Sequence, residues 1–490
     1  MMSKTGKWIL LLGFSLTLAV PFAAGAQDGP TFETTLLDHE TPRPTMVNGV
    51  HFVPRPESAP AGSMKDTVLS TLHFNPDIKA FQEYRQATVH DVSRARSGWL
   101  PRLDIRGGYG TEQWSNDQTR NHRQNRISQD QWGFYSRGEA SAVLQQTIWD
   151  GFATWNRYQI GLTRQDSAVY RLLDNAEAAS LDAILAHIEV YRQRRLVALS
   201  EVNVQNHRDI LASQEERQRL GASSLADVTQ TRGRLARAEA SLVETRSALE
   251  IAVAGYKRLT GKDPGQLEEP MPPLDAYPSM QAVLADAQTQ NPKVKALQSD
   301  VETAVAQIGL DQANFHPQIY FEVSENYNWQ VQGSQTYEWG TGFMLRFSWN
   351  LFDGFYDWYN VKGDRARMRQ AREQLSTQTE DLSRESAATW STLLSAREQA
   401  TYFVVAVDNN TQTRDMYLQQ FNVGQRSLLD VLDSENELYS SSMQLVTARL
   451  NEIAAMYRLK ALGGNLLLAM GVDKNGLNID TDKLAEQRGE

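Results

Sequence analysis

The sequence predicts a mainly α protein with a membrane β-barrel portion, in which a unit of helix, β-hairpin and long helix occurs twice. Three observations predict this class. The chain repeats itself at a period of roughly 200 residues, far above the period of a solenoid. Long spans of the chain contain no proline, and such spans can hold long helices. Four stretches alternate between apolar and polar residues, as strands with one lipid-facing side do.

Composition argues against several classes of function. The 490 residues carry a net charge of −10, which disfavours nucleic acid as a partner, because nucleic-acid binders present basic patches. The chain has no cysteine, so disulfides, thiolate metal sites and cysteine nucleophiles are excluded. Its histidines show no His-x-x-x-His pair, and no Gly-x-Ser-x-Gly turn occurs. We therefore expect no catalytic residue, no metal site, no cofactor and no enzyme activity.

The N-terminal residues 1–26 are predicted to be a secretory signal peptide. Lys4 and Lys7 form its charged part, and small residues at 24–26 fit a cleavage site. The apolar stretch between them, residues 8–20, is too short for a membrane anchor. Residues 27–66 are rich in proline and have no counterpart later in the chain, so we expect them to be extended or disordered.

The duplication places the domain boundaries. The segment 75–105 matches 291–321 at a constant offset, and both segments begin with Asn-Pro and end beyond a second proline. Since the residue before proline avoids the helical region, each copy opens with a helix of about 24 residues that ends before that proline. The predicted boundaries are repeat 1 at 67–262, a proline-rich linker at 263–280, repeat 2 at 281–471 and a C-terminal tail at 472–490.

Two alternating stretches follow this helix in each repeat. The predicted strands lie at about 102–112 and 139–149 in repeat 1, and at about 318–327 and 339–351 in repeat 2. A strand of a soluble sandwich gives the same alternation, but aromatic residues at both strand ends favour a membrane barrel. Four strands cannot close such a barrel, so the chain has to oligomerise. A dimer supplies eight strands and a trimer twelve.

A long helix is predicted from Thr154 to Leu220. One stripe of it repeats every seven residues: Leu162, Val169, Ala176, Ala183, Val190, Val197, Val204 and Leu211. The stripe indicates coiled-coil packing, and an ordinary bundle core gives a similar pattern. At 1.5 Å per residue the helix extends about 100 Å, which is too long for a compact domain.

Each long helix ends at a glycine that has a counterpart in the other repeat. Gly221 and Gly424 suit the left-handed conformation beyond a helix end, and Ser224 and Ser427 suit N-caps. The predicted turns, or tips, span about 219–228 and 421–433. Asp227 and Asp430 stand three residues after the serines, where a carboxylate can cap the helix, and a functional role is equally open.

Two charges of the second tip have no counterpart in the first. Arg426 corresponds to Ser223, and Asp433 corresponds to Gln230. Capping requires neither Arg426 nor Asp433. The sequence therefore points to the second tip for charges that the turn itself does not need.

The tip sequence "FNVGQRSLLDVLD" (421–433) and the strand exits "WDGF" (149–152) and "FDGF" (352–355) resemble the TolC family of outer-membrane channels. The resemblance covers about 69–471. It implies a homotrimer whose twelve strands form one β-barrel in outer-membrane lipid and whose helices form a tunnel in the periplasm. It also implies two partners, a periplasmic adaptor protein and an inner-membrane transporter of the ABC type.

By position, the resemblance assigns two groups of residues. Those that correspond to the periplasmic gate are Phe421, Arg426, Asp430 and Asp433. Those that correspond to adaptor contacts are Gly221, Ser224, Leu225, Asp227, Gly424, Ser427 and Leu428. Tyrosine is common in the family where this chain has Phe421. Three copies of Asp433 around an axis would form a ring of like charge, which attracts cations and is costly to close.

The function implied is an outer-membrane exit duct of a tripartite export system. Type I protein secretion is favoured, and efflux of drugs or small molecules is the alternative. A different class, a non-conducting coiled-coil structural protein, accounts for the long helices. It leaves the strands and the charged tip unexplained.

Overall fold

The computed structural model describes residues 62–114, 133–333 and 336–472. Every described residue belongs to one compact unit, Phe52–Glu490. The predicted signal peptide, most of the predicted extended segment and most of the C-terminal tail therefore lie outside the described residues. So does most of the polar segment between the first two strands.

The described elements occur in the same order in both repeats. In repeat 1 they are α1 (Met64–Phe74), α2 (Pro76–Arg96), β1 (Arg102–Trp114), β2 (Gly133–Trp149), α3 (Ala153–Arg219) and α4 (Leu225–Thr260). In repeat 2 they are α5 (Met280–Thr289), α6 (Pro292–Gln312), β3 (Gln318–Trp329), β4 (Tyr337–Ser348), α7 (Tyr356–Asn422) and α8 (Leu428–Leu462), followed by α9 (Leu466–Ala469). The predicted duplication of helix, hairpin and long helix is present.

The Asn-Pro pairs start α2 and α6. The Asn75 side chain accepts a hydrogen bond from the Asp77 amide at 2.9 Å, and proline occupies the first turn, where its missing N–H costs nothing. Asn291 caps α6 in the same way. Each helix continues into a 3₁₀ turn that stops two residues before a proline.

Two short helices, α1 and α5, precede the Asn-Pro pairs and were not predicted. Ser63 accepts a hydrogen bond from the Asp66 amide, so α1 begins at Met64, and the prediction of an extended segment as far as residue 66 is wrong at its end. Ser279 likewise caps α5 at the end of the predicted linker. A serine cap outweighs the proline-rich composition beside it.

The four strands form one antiparallel sheet in the order β1-β2-β3-β4. The two hairpins were expected, but the pairing of β2 with β3 was not. In that pairing Leu144 lies opposite Val323, with a bulge between Thr147 and Trp149. The pairing joins repeat 1 to repeat 2 within one sheet.

The predicted strand 339–351 extends too far at its C-terminal end. β4 ends at Ser348, which pairs with Gln318, the first residue of β3. Pro317 precedes Gln318, so nothing remains for the following residues to pair with. Instead, the Trp349 indole N–H donates to the Phe315 carbonyl at 3.1 Å.

The two faces of the sheet differ in chemistry. On one face Trp339, Phe343 and Phe347 are 74%, 70% and 63% exposed. The opposite face carries ion pairs between neighbouring strands, such as Arg346–Glu322 at 2.6 Å and Arg137–Glu112 at 3.0 Å. An apolar face outside and a polar face inside is the arrangement of a membrane barrel strand.

Both long helices, α3 and α7, contain 67 residues. Six residues of the predicted seven-residue stripe of α3 are buried, and Val197 and Leu211 are half-buried. The main apolar cluster lies where α1, α3, α8 and α9 meet, and it includes Val68, Ile184 and Leu466. Among the described helices, none is both long and apolar enough to cross a membrane.

The paired helical tips as candidate functional site

The first tip is closed by a complete reciprocal cap. Gly221 has φ +77°, and the Ala222 amide donates to the Arg217 carbonyl at 2.8 Å, which satisfies the end of α3. Ser224 Oγ accepts from the Asp227 amide at 3.1 Å, and Asp227 Oδ2 accepts from the Ser224 amide at 3.1 Å. Hydrogen bonds from Ser224 lower the pKa of the Asp227 carboxyl. Asp227 is thus a capping acid.

The second tip repeats the turn but holds its acid differently. Gly424 has φ +79°, and Ser427 Oγ accepts from the Asp430 amide at 3.3 Å. The Ser427 hydroxyl donates to Asp430 Oδ2 at 2.9 Å, while Arg426 Nη1 lies 3.8 Å from the same oxygen. Asp430 therefore serves both as a cap and as a partner of Arg426.

Arg426 lies across the ring of Tyr417, with its guanidinium carbon 4.1 Å from the ring centroid. Its Nε is buried and has no hydrogen-bond partner within the described residues. The side chain is held by the face of one ring and a distant carboxylate. A cation placed over a ring in this way is attracted weakly at an exposed site.

Phe421 connects the two tips. The guanidinium carbon of Arg217, at the end of α3, lies 4.6 Å from the Phe421 ring centroid. A phenylalanine provides this contact as well as a tyrosine would, because the aromatic face attracts the cation. The loss of a hydroxyl at this position still leaves a link between the repeats.

Asp433 forms the direct ion pair between the tips. Arg234 of α4 donates through Nη2 to Asp433 Oδ1 at 2.8 Å, and the two side chains are 26% and 55% exposed. The carboxylate that capping does not need is therefore neutralised by the other repeat of the same chain.

A second layer of contacts lies two residues further along α8, at Glu435. This buried carboxylate accepts from Asn206 Nδ2 of α3 at 3.1 Å and from Arg414 Nη1 of α7 at 3.2 Å. His207, next to Asn206, is 4% exposed, and burial lowers the pKa of its imidazole while Glu435 partly opposes the shift. The layer joins three helices through a buried acid.

A cavity of about 290 Å³ opens between the two tips. Its lining includes Asn206, Gln214, Arg414, Phe421, Val431 and Glu435. Gln214 is 2% exposed, and its Nε2 has no hydrogen-bond partner within the described residues. The contact between the repeats at this level is incompletely packed.

Comparison with known proteins places both repeats in one family. The family model described as outer membrane efflux protein matches residues 69–262 and 283–465. The chain belongs to the outer membrane efflux protein family. The resemblance of the sequence to the TolC family is thereby confirmed. Proteins of this family are channels of the outer membrane with a helical tunnel in the periplasm, and this is the location of the chain.

Two curated relatives and one solved structure show the range of the family. The outer membrane efflux protein BepC of Brucella suis is 23% identical over 71% of this chain and 75% of its own length. The protease secretion protein PrtF of Dickeya chrysanthemi is 22% identical over 84% of this chain and 89% of its own. The crystal structure of CusC, whose title refers to transmembrane channel formation, matches this chain with a TM-score of 0.70 at 14% identity. The match covers 88% of this chain and 98% of CusC. The predicted fold class is confirmed.

In this outer membrane efflux protein the two tip leucines are not equivalent. Leu225 is 66% exposed, whereas Leu428 is 7% exposed. Leu429 is 45% exposed beside it. The resemblance assigned both Leu225 and Leu428 to adaptor contacts, but the structure presents only the side chain of Leu225 at the surface. Gly221, Ser224, Gly424 and Ser427 are exposed.

Sequence reasoning missed the cationic partners of the second tip. Arg217 contacts Phe421 and Arg234 pairs with Asp433, and neither arginine was predicted. Arg414, which donates to the nearby Glu435, was not predicted either. The sequence did contain a signal for Arg234. Gln230 is the counterpart of Asp433 in the first repeat, and Arg234 follows it by four residues on the same helix, so the duplication places Arg234 near the level of Asp433. No group of three or more His, Cys, Asp or Glu residues within the described part of the chain could hold a metal ion.

Proposed function

We propose that the chain is the outer-membrane exit duct of a tripartite export system, passing substrate from an inner-membrane transporter and its periplasmic adaptor to the exterior. The observation that carries the proposal is the open sheet. β1 and β4 are its edges, and within the described residues neither has a second strand partner. Lipid offers no hydrogen bonds to a free strand edge, so copies of the chain have to join edge to edge. Three copies give a twelve-stranded barrel.

The long helices support association of copies as well. α7 leaves large apolar side chains at the surface, with Tyr402 at 66%, Val405 at 56% and Met416 at 51% exposed. The matching helix α3 is buried along much of its length by helices of its own chain. Exposed apolar residues on one side of a long helix favour contact with a neighbouring protomer. A homotrimer buries them in a continuous wall of helices.

The tips are proposed as the periplasmic gate and as the adaptor surface. Phe421, Arg426, Asp430 and Asp433 form the gate, held closed through Arg217, Tyr417 and Arg234. The adaptor contacts are the exposed turn residues Gly221, Ser224, Leu225, Gly424 and Ser427, with Asp227 shaping the first turn. Both turns leave their backbone beyond the helix ends available to a partner.

Type I protein secretion, with a transporter of the ABC class, is the proposed branch. It is supported by the extent of the match to PrtF, whose name is that of a protease secretion protein and which aligns over 89% of its length. The second candidate is efflux of small molecules, supported by the higher identity to the efflux protein BepC, 23% over 354 residues. Loss of the gene separates the two branches. Secretion predicts the loss of a large protein from the medium, and efflux predicts sensitivity to apolar dyes and detergents.

The duct itself is tested on the purified protein. We expect outer-membrane fractions to contain a trimer that resists detergent and dissociates on heating, and planar bilayers containing it to show discrete ion conductance. A soluble protein, or a trimer that never conducts, contradicts the proposal and favours the coiled-coil structural protein. The conductance of Arg426→Ser is measured beside that of the native protein, because the proposal has the Arg426 contacts hold the native tip closed.

A further inference from the structure

The first turns of α7 concentrate positive charge. Residues 362–372 contain five basic residues and one acid, in a chain whose net charge is −10. Arg367 pairs with that acid, Asp364. The other four basic residues are exposed, and their spacing of three or four residues places them on one face of the helix. These four residues form the basic stripe: Lys362, Arg365, Arg369 and Arg372.

No contact within the chain explains the basic stripe. Within the described residues, Arg365, Arg369 and Arg372 have no ion-pair partner. In repeat 1 the matching positions, at the offset that relates Gly221 to Gly424, carry no positive charge: Gln159, Leu162, Asp166 and Val169. The long helix of repeat 1 forms without these cations, so the fold does not require them in repeat 2.

An aromatic run connects the basic stripe to the apolar face of the sheet. That face continues down β4 to Phe347, and the exposed rings of Phe352 and Phe355 follow below the strand. The ring centroids of Phe352 and Phe355 lie 5.4 Å apart, and those of Phe355 and Trp358 lie 6.5 Å apart. Lys362 Nζ lies 3.5 Å from the Trp358 ring centroid. Since tryptophan rings favour the level of the lipid headgroups, the stripe begins where the hydrocarbon ends.

A neighbouring copy in the proposed trimer leaves the basic stripe uncovered. Within one chain, α6 packs against α3 at Thr163 and Ser167. Because α2 is the counterpart of α6, α2 of a neighbouring copy packs against α7 at the matching positions, Ala366 and Gln370. On its other side α7 contacts α6 of its own chain at Asp357. At about 100° per residue, the stripe lies between these two contact faces, on the side that the aromatic run marks as outer.

Helix α5 covers the same side of α7 further from the barrel. Trp390 follows Lys362 at a multiple of seven residues, and it packs against the cluster that contains Val283 of α5. Nearer to the barrel, the stripe is exposed within the described part of the chain. Its cations are therefore confined to the part of the outer wall closest to the membrane.

We propose that the basic stripe binds the headgroups of anionic phospholipids in the periplasmic leaflet of the outer membrane. An arginine fork donates two hydrogen bonds to a phosphate, and a lysine binds a phosphate as a point charge. This leaflet is the source of anionic groups that lies directly beside the stripe. The inference goes beyond the proposed function and rests on it only for the neighbouring copy that leaves the stripe open.

Height along α7 should grade the contributions of the four cations. Lys362 and Arg365 lie about 6 and 10 Å along the helix from Trp358, where long side chains can extend toward the headgroups. Arg369 and Arg372 lie about 16 and 21 Å from Trp358, and screening acts over about 8 Å. The first two cations therefore contact phosphate, whereas the other two attract it only through a screened field.

Lipid retention by the purified trimer tests the proposal. The trimer is reconstituted in equimolar phosphatidylethanolamine and phosphatidylglycerol and extracted in mild detergent, and mass spectrometry measures the ratio of the two retained lipids. We expect the native trimer to be enriched in phosphatidylglycerol. Lys362→Gln with Arg365→Gln should lower this enrichment at least about five-fold, since each cation near a membrane surface contributes about five-fold in affinity. Arg369→Gln with Arg372→Gln should lower it less.

Arg157→Gln with Arg164→Gln is the matched control. Both arginines are exposed at similar heights on α3, and they are the counterparts of Asn360 and Arg367, which lie outside the basic stripe. The control removes the same charge and should retain the native enrichment. If the first double variant retains the native enrichment, or if the control loses as much, the proposal is overturned.

Two further comparisons distinguish lipid from other anions. Inorganic phosphate and sodium chloride at equal ionic strength should lower the enrichment equally, because both act by screening. A larger effect of phosphate would identify a site for the free anion and overturn the lipid assignment. Equal losses in the two stripe variants would instead favour a soluble acidic partner lying along α7. Failure of the proposed function shows differently, as a purified protein that forms no trimer or no channel.

Discussion

Arg234 and Asp433 come from different repeats, yet their side chains meet at 2.8 Å and link the two tips of one chain. The pair is partly exposed, so its contribution to the free energy of unfolding is modest. Its importance lies in its position between the two repeats. It joins α4 to α8 beside the turn where α7 reverses into α8. A contact at this point opposes any separation of the second tip from the first.

Removing this pair should favour the open entrance. We expect Arg234→Ala to raise mean conductance in planar bilayers, with the ratio of open to closed tips shifting by up to about five-fold, since an exposed ion pair contributes about 1 kcal/mol at most. High salt should diminish the difference from the native protein, because screening weakens the pair. Arg232→Ala is the matched control, since Arg232 pairs with Glu215 of its own repeat at 2.7 Å. Equal conductance of the two variants would contradict the link.

The same pair predicts how divalent cations block the channel. In the native protein Arg234 partly neutralises the Asp433 carboxylate, so a ring of three such acids attracts cations less than free carboxylates would. We expect Arg234→Ala to be blocked at lower divalent concentration than the native protein, and Asp433→Asn at higher concentration. Block is measured as the loss of current on titration of the cation. If Asp433→Asn is blocked as readily as the native protein, the ring lies elsewhere.

Arg426 should act as a weaker latch that does not depend on Asp433. Its guanidinium rests on Tyr417 and lies 3.8 Å from Asp430, and an exposed cation–π contact contributes roughly 0.5–1 kcal/mol. Arg426→Ser should therefore raise conductance, and Arg426→Lys should retain part of the native value. An additive effect with Arg234→Ala is expected, because Arg426 contacts Tyr417 and Asp430 and not the Arg234 pair. Unchanged conductance in Arg426→Ser would reject the latch.

The two caps should differ in strength. Ser224→Ala removes a reciprocal cap and should destabilise the first tip by about 1 kcal/mol, which amide hydrogen exchange in residues 225–228 reports. Ser427→Ala is the matched variant, and its effect should be smaller, because the Asp430 carboxylate also has Arg426 nearby.

The first cap should also depend on pH. Since the pKa of Asp227 is lowered in the folded tip, the contribution of its carboxylate to the stability of the tip is present above the ordinary carboxyl pKa of about 4 and is lost as pH falls below it. Protection that does not change with acid would contradict this role.

His187 should make the stability of the upper helices depend on pH. The imidazole is 0% exposed, its Nε2 donates to the Glu268 carbonyl at 3.1 Å, and burial lowers its pKa from 6.5. As pH falls below about 6.5, the unfolded chain takes up a proton that the folded chain resists, so the free energy of unfolding decreases by at most about 1.4 kcal/mol per pH unit for this group.

Thermal unfolding between neutral and mildly acidic pH measures this dependence. His187→Gln should flatten the profile, even though the substitution itself lowers the melting temperature. His90→Gln, at an exposed position on α2, is the control and should leave the slope unchanged. A native slope that persists in His187→Gln would assign the dependence to other groups.

Much of this architecture was predictable because local rules set it. Asn-Pro starts, glycines at positive φ and serine caps each act within a few residues, so α2, α6 and both turns follow from the sequence. The stripe of α3 predicted its buried face for the same reason, since helix period and burial are linked. The end of β4 was missed, because a strand ends where its partner ends, and the partner lies outside the local pattern.

The sequence by itself determined the duplication, the turns at Gly221 and Gly424, and the family, because these depend on residue order over short distances. Only the tertiary structure decided that Asp433 is paired with Arg234 and that Leu428 is buried while Leu225 is exposed. The two repeats carry similar patterns, so no local signal reveals which side chains meet across them. Contacts between distant segments depend on how the helices pack, and that packing sets the partners of Phe421 and Asp433.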